Sequence, residues 1–221
     1  MEHMKNKVFN FFLKKDKQHF RVTIFGSSRI ENNDEIYKQV KHLAKMLGET
    51  GIDVITGGGP GLMKAGNEGH LEGQAIGKTG AHSIGIGIKL PWEQKFNDSV
   101  EYKEQFNRFS GRLDEFMTLT NAVVVCPGGL GTILELFYTW QLVQVHHICN
   151  IPIILMGNEW EGLLRWIKEE PLAKKYLDKE DYNLIFHVKT PEEAMNIIND
   201  SYSSFKVGGK DFCLNYEKYK I

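Results

Sequence analysis

The chain has 221 residues, 42% of them hydrophobic, which is enough to bury one substantial core and reads as a single domain. Its formal net charge is −1, so it lacks the broad positive field that holds a nucleic-acid polymer. The apolar run at residues 8–13 is interrupted by Asn10 and followed by Lys14-Lys15-Asp16-Lys17, too short for a membrane span or a signal peptide, so residues 1–20 are expected to be an N-terminal extension.

In chain order, residues 21–25 read as a first strand closed by the turn Phe25-Gly26-Ser27-Ser28. Asp53-Val54-Ile55 reads as a second strand, followed by Thr56-Gly57-Gly58-Gly59-Pro60-Gly61-Leu62-Met63 and a helix over residues 63–69. The spacing predicts a helix over about 106–119, with Phe106, Phe109, Leu113, Phe116 and Met117 as its apolar stripe and Arg112 on the flank near Phe109 and Phe116. Ala122 to Cys126 reads as a buried strand, and Pro127-Gly128-Gly129-Leu130-Gly131-Thr132-Ile133-Leu134-Glu135 opens a helix to about residue 145. Residues 152–156 then read as a strand, 160–170 as a helix, 184–187 as an edge strand and 191–202 as a helix capped by Thr190. The alternation predicts an α/β fold, a doubly wound, Rossmann-like parallel sheet with helices on both faces, spanning residues 21–205 and leaving 206–221 as a tail.

The turn after the 122–126 strand is built to hold an anion. Glycines at 128, 129 and 131 let the backbone approach a ligand, the free N–H groups of the first helical turn point at it, and the helix dipole favours negative charge there by up to ~2 kcal/mol. Thr132 adds a hydroxyl, and Glu135 projects from the same side of the helix, where its carboxylate is expected to stay ionised. Taken alone, such a turn also serves tight packing, with the glutamate as a cap. Three glycine or serine turns after three strands, however, would border one crevice in an open parallel sheet. None matches the dinucleotide fingerprint or the P-loop, which points to a mononucleotide and away from NAD or ATP hydrolysis.

These residues resemble a known family. Gly57-Gly58-Gly59-Pro60-Gly61-Leu62-Met63, with Pro127-Gly128-Gly129-Leu130-Gly131-Thr132 and Glu135, is similar to the Lonely-guy family of cytokinin riboside 5′-monophosphate phosphoribohydrolases, long labelled lysine decarboxylase-like. Arg112, 23 residues before Glu135, stands where that family carries an arginine. The run Ser83-Ile84-Gly85-Ile86-Gly87-Ile88 with Leu90-Pro91-Trp92-Glu93-Gln94 resembles its longer bacterial branch. Leu113 replaces the usual lysine after the arginine, and residues 69–81, with Gly73, Gly77 and Gly80, look like a longer connection able to form a mobile flap.

The resemblance implies hydrolysis of a nucleoside 5′-monophosphate, of the AMP or cytokinin ribotide type, to free base and ribose 5-phosphate. Its catalytic residues would be Arg112 and Glu135; Ser27, Gly57, Gly58, Gly59, Gly61, Met63, Glu93, Gly128, Gly129, Gly131, Thr132 and Thr139 would bind substrate. It implies a homodimer or higher homo-oligomer with the site near the interface, to which the helix from Gly131, with Phe137, Tyr138 and Trp140, has the aromatic content to contribute. The alternative is a nucleotide or molybdenum-cofactor carrier that binds without hydrolysis.

No metal or redox cofactor is expected. His146-His147 lacks metal-ligand spacing and reads as an exposed helix end. Neither glycine motif supplies a Schiff-base lysine; Lys64, the nearest, is expected to face solvent. Cys126, Cys149 and Cys213 form no Cys-x-x-Cys motif and point to a reducing, cytoplasmic setting, with Cys126 expected as a buried strand thiol.

Overall fold

The computed structural model describes residues 19–91, 95–208 and 213–219. Its strands are β1 (Arg21–Phe25), β2 (Asp53–Thr56), β3 (Ser83–Ile88), β4 (Tyr102–Phe106), β5 (Ala122–Val125), β6 (Ile153–Met156) and β7 (Ile185–Val188). All pair in parallel, in the order β4-β3-β2-β1-β5-β6-β7. The helices are α1 (Glu35–Thr50), α2 (Leu62–Gly77), α3 (Phe109–Leu119), α4 (Leu130–Gln144), α5 (Glu161–Ile167), α6 (Lys179–Tyr182), α7 (Pro191–Gly208) and α8 (Asn215–Lys218).

The period of two divides each central strand between two cores. In β5, Ala122 and Val124 join Val40, Leu43, Leu47, Leu62 and Ile198 from α1, α2 and α7. Val123 and Val125 join Phe116, Met117, Leu136, Trp140 and Leu164 from α3, α4 and α5 on the opposite face. Apolar side chains on both faces of the same strands are what a helix-covered parallel sheet requires, and the doubly wound fold is as expected.

One expectation fails at residues 69–81. They are not a flap: α2 runs to Gly77, and Gly69, Gly73 and Gly77 form a stripe at four-residue spacing on one side of it. A Cβ on Gly69 or Gly73 would collide with the carbonyl oxygen of Lys41 or Lys45 on α1, and one on Gly48 of α1 with that of His70. The glycines are there for backbone contact between helices. Gly73→Ala is expected to cost about 3 kcal/mol of stability in urea unfolding. Gly162→Ala on α5, where a Cβ meets nothing, should instead be neutral or gain up to about 1 kcal/mol.

The partner helix α1 was absent from the sequence reading, although Tyr37, Val40, Leu43 and Leu47 repeat at helical spacing and Gly51 ends it at φ 81°. Residues 106–108 likewise precede rather than begin α3, because Phe106 closes β4. Phe109 is exposed at the start of α3 while Leu113, Phe116 and Met117 are buried, so the stripe is shorter than expected. Thr190 does cap α7: its Oγ accepts the Glu193 N–H at 3.2 Å, and the Glu193 carboxylate accepts the Thr190 N–H at 3.3 Å.

Cys126 is the expected buried strand thiol, its pKa pushed up by burial. The other two cysteines depart from the reducing picture: Cys149 and Cys213, separated by 64 residues, form a disulfide that holds the tail to the core. Asn215 of α8 strengthens the attachment, accepting from Cys149 N–H at 2.8 Å and donating to the Thr120 carbonyl at 2.9 Å. Such a bond persists in oxidising surroundings and is opened in reducing ones. No helix of the described residues is long and apolar enough to cross a membrane.

Candidate active site

Chain direction across the sheet reverses at β1: the chain builds outward through β2, β3 and β4 on one side, then returns to β5, β6 and β7 on the other. The crevice between the carboxyl ends of β1 and β5 is therefore the switch point at which open α/β sheets bind ligands. Three turns meet there around Ser27. Its N–H donates to the Pro127 carbonyl at 3.0 Å, and its own carbonyl accepts the Leu62 N–H at 2.9 Å. The turns after β1, β2 and β5 are thereby locked together, and Gly58 and Gly61 take φ of 72° and 66° to make the second of them.

The first intrahelical bond at the start of α4 is Ile133 N–H to the Gly129 carbonyl, 3.0 Å. The N–H groups of Leu130, Gly131 and Thr132 precede it, at the positive end of the helix. They border a cavity of about 700 Å³ lined by all three turns and floored by Arg112 and Glu135. Arg112 Nη1 donates to Glu135 Oε1 at 3.0 Å and its Nε to the Ile86 carbonyl at 2.8 Å, while the guanidinium lies 5.0 Å from the Phe116 ring centroid. Two separate helices, α3 and α4, thus bring a cation and a carboxylate together in one cavity.

Burial dominates the electrostatics of this pair. It pushes Glu135 up to about 7, against the opposing pull of Arg112. Burial also lowers the Arg112 pKa, opposed by Glu135, but a guanidinium stays charged near neutrality. The expectation that Glu135 stays ionised is thereby narrowed to pH above about 7: it lies in the second turn of α4, beyond the reach of the helix terminus, so desolvation raises its pKa. Because the folded pKa is raised, the carboxyl contributes stability that is full below the unfolded value and is lost as pH rises through about 7. Melting temperatures recorded from pH 5 to 8 should accordingly fall more steeply for the natural chain than for Glu135→Gln.

Of the residues singled out in the sequence, Ser27, Gly57, Gly58, Gly59, Met63, Gly129, Gly131 and Thr132 line the cavity with Arg112 and Glu135. Gly61 and Gly128 shape the turns from behind, Gly128 against the Thr132 side chain and Gly61 against Ser27 and Ser28. Thr139 is fully buried and donates to the Glu135 carbonyl at 2.8 Å, outside the cavity lining. Glu93 lies outside the described residues. Lys64 pairs with Glu68 at 3.4 Å on α2. His146 and His147 are exposed just past α4, and no group of His, Cys, Asp and Glu among the described residues has the makings of a metal site. Arg29, Lys95, Phe96 and Gln105, which stand outside the motifs legible in the sequence, also line the cavity. Phe96 carried a signal in the alternating glycines of β3, whose meaning needs the third dimension.

A doubly wound parallel sheet with three glycine or serine turns and a buried Arg–Glu pair at its switch point defines a Rossmann-like α/β protein. Residues 63–198 match the family described as "Possible lysine decarboxylase", and the chain belongs to that family, the one that holds the Lonely-guy phosphoribohydrolases. It is 30% identical over 153 residues to a cytokinin riboside 5′-monophosphate phosphoribohydrolase of Arabidopsis thaliana, covering 66% of this chain and 68% of that protein. It is 26% identical over 184 residues to a probable enzyme of the same name from Oryza sativa subsp. japonica, covering 81% and 83%. Among solved structures, the molybdenum cofactor binding protein of Rippkaea orientalis shares the fold, with a TM-score of 0.58, 18% identity and coverage of 83% and 97%.

Proposed function

We propose that this chain is a nucleoside 5′-monophosphate phosphoribohydrolase, which splits the N-glycosidic bond to give a free base and ribose 5-phosphate. The observation that carries this is the Arg112–Glu135 pair at 3.0 Å, lining the same cavity as the start of α4, the proposed cradle. The phosphate accepts from the N–H groups of residues 130–132, which sets the ribose over Glu135. As the C1′–N bond breaks, its electron pair leaves with the base and C1′ gains oxocarbenium character, which an ionised Glu135 stabilises. Water then adds to C1′; its hydroxyl stays on the sugar and its second hydrogen ends on the base. Glu135 is placed to take the water proton, and Arg112 to hold Glu135 and the nucleotide in register. Thr139, bonded to the Glu135 carbonyl, fixes the helical turn that presents the carboxylate.

Cytokinin ribotides are the substrates favoured by the names of the two plant relatives, and AMP is proposed beside them as the unmodified purine nucleotide of the same class. The proposed homodimer uses the outer face of α4, where Leu130, Leu134 and Phe137 are exposed. Trp140 and Tyr138 do not belong to that face, since Trp140 donates to the Asp181 carbonyl and Tyr138 bonds Asp114 and Tyr219. Light scattering that returns a monomer at micromolar concentration would remove the dimer.

The functional test is a panel of AMP, GMP, CMP, UMP and isopentenyladenine ribotide, with adenosine as the control lacking phosphate. Base should appear from at least one nucleotide and not from adenosine. Nucleotide binding without release of any base would instead make the chain a carrier. Because the ionised carboxylate is the active form, kcat/KM should rise with pH along a limb centred near 7.

A further inference from the structure

On the β3 side of the cavity, with β2 and β1 between it and β5, three glycines border one aromatic ring. A Cβ at Gly58 or Gly87 would run into Phe96, and one at Gly85 would collide with Val100 and crowd Phe96, so these positions leave room for the ring. Gly85 and Gly87 alternate along β3 and so share one face of the sheet, next to Gly58 in the turn after β2. The ring is held there by its neighbour: Asn97 N–H donates to the Gly58 carbonyl at 2.8 Å, and its amide nitrogen reaches the carbonyls of Gly58 and Gly59 and the Asn67 amide oxygen at 2.9–3.0 Å. The ring is only half-buried and lines the cavity. Beside it, Gln105 of β4 is in register with Gly87, which puts both on one face of the sheet, and is exposed to the same cavity.

We infer that Phe96 is the stacking platform for the base of the bound nucleotide and that Gln105 reads the edge of that base. The inference rests on the proposed function for the presence of a nucleotide and goes beyond it in saying what selects the base. The geometry supports one direction of binding. The cradle follows β5, and β1, β2 and β3 lie successively further along the sheet, about 4.8 Å apart. A nucleotide with its phosphate on the cradle and its ribose over Arg112 and Glu135 therefore extends its base toward β3, where Arg112 already touches Ile86 and Phe96 covers Gly87. An aromatic face accepts any base, whereas a glutamine amide offers one acceptor and two donors that distinguish base edges. Selectivity is thus assigned to Gln105 and affinity to Phe96.

The test measures binding of AMP and of ribose 5-phosphate, which lacks a base, by calorimetry in the Glu135→Gln background, where turnover does not interfere. Adding Phe96→Leu, which keeps an apolar side chain on the glycine bed but removes the π face, should weaken AMP by about tenfold or more and leave ribose 5-phosphate within twofold. Phe96→Trp should keep tight AMP binding. Adding Gln105→Leu should change the ratio of AMP to CMP affinity at least threefold. Equal loss for AMP and ribose 5-phosphate would reduce Phe96 to a packing residue, and unchanged affinity for both would remove it from the base site. An unchanged AMP to CMP ratio would do the same to Gln105. A natural chain that binds AMP but releases no adenine would end the proposed hydrolysis, while the ratio of AMP to ribose 5-phosphate affinity would still decide the role of Phe96.

Discussion

Glu135→Gln is expected to lower turnover of a nucleoside monophosphate by about 10³-fold or more while AMP affinity changes by less than about tenfold. The amide has nearly the same volume and still accepts a hydrogen bond from Arg112, so the ion-pair geometry at 3.0 Å has a neutral replacement and the fold is kept. What is lost is negative charge beneath C1′ and a group able to take a proton from water. The phosphate contacts proposed at the start of α4 would be untouched, so binding should survive. The substitution also removes the titrating group, so the pH limb near 7 should vanish from any residual rate. Steady-state kinetics between pH 5 and 9 read both effects, and near-natural turnover in the variant would remove Glu135 from the chemistry.

Arg112→Ala is expected to impair both turnover and binding, the first by about 10²-fold or more and the second by about tenfold. The guanidinium makes two hydrogen bonds from one planar fork, to Glu135 and to the Ile86 carbonyl, and packs over Phe116. Removing it leaves a carboxyl with an apolar floor and no cation. Such a group does not stay charged; its pKa climbs further above 7, and the ionised fraction at neutral pH falls. Part of the lost rate should therefore return at high pH, a recovery that Glu135→Gln cannot show. Arg112→Lys should not restore the natural rate, because a single ammonium cannot keep both hydrogen bonds in the plane of the fork. A pH-rate profile for Arg112→Ala that matches the natural limb would contradict the coupling between the two residues.

The parts of this molecule that were legible in the sequence are local. A glycine turn after a strand and before a helix is a short-range statement, and the turns at Gly57 and Gly128 fell where they were placed. Arg112 and Glu135 were found through their spacing in a known family and were brought together as expected. What escaped depends on contacts between distant segments. Gly69, Gly73 and Gly77 read as breaks when taken singly, and only the backbone of α1 against them explains a helix that keeps all three. The Glu135 carboxyl was judged by its helix, whereas its titration is set by everything packed around it. Phe96 drew no attention because its platform is assembled from two strands and a turn. The Cys149–Cys213 bond joins positions 64 residues apart, with nothing in the spacing to reveal it.

The claim that Arg112 and Glu135 form an N-glycosidase centre is tested most directly by identifying the products formed from AMP. Chromatography of a reaction with the natural chain should show adenine and ribose 5-phosphate in equal amounts, and neither from Glu135→Gln over the same time. Release of adenosine and inorganic phosphate, or full recovery of AMP, would contradict it.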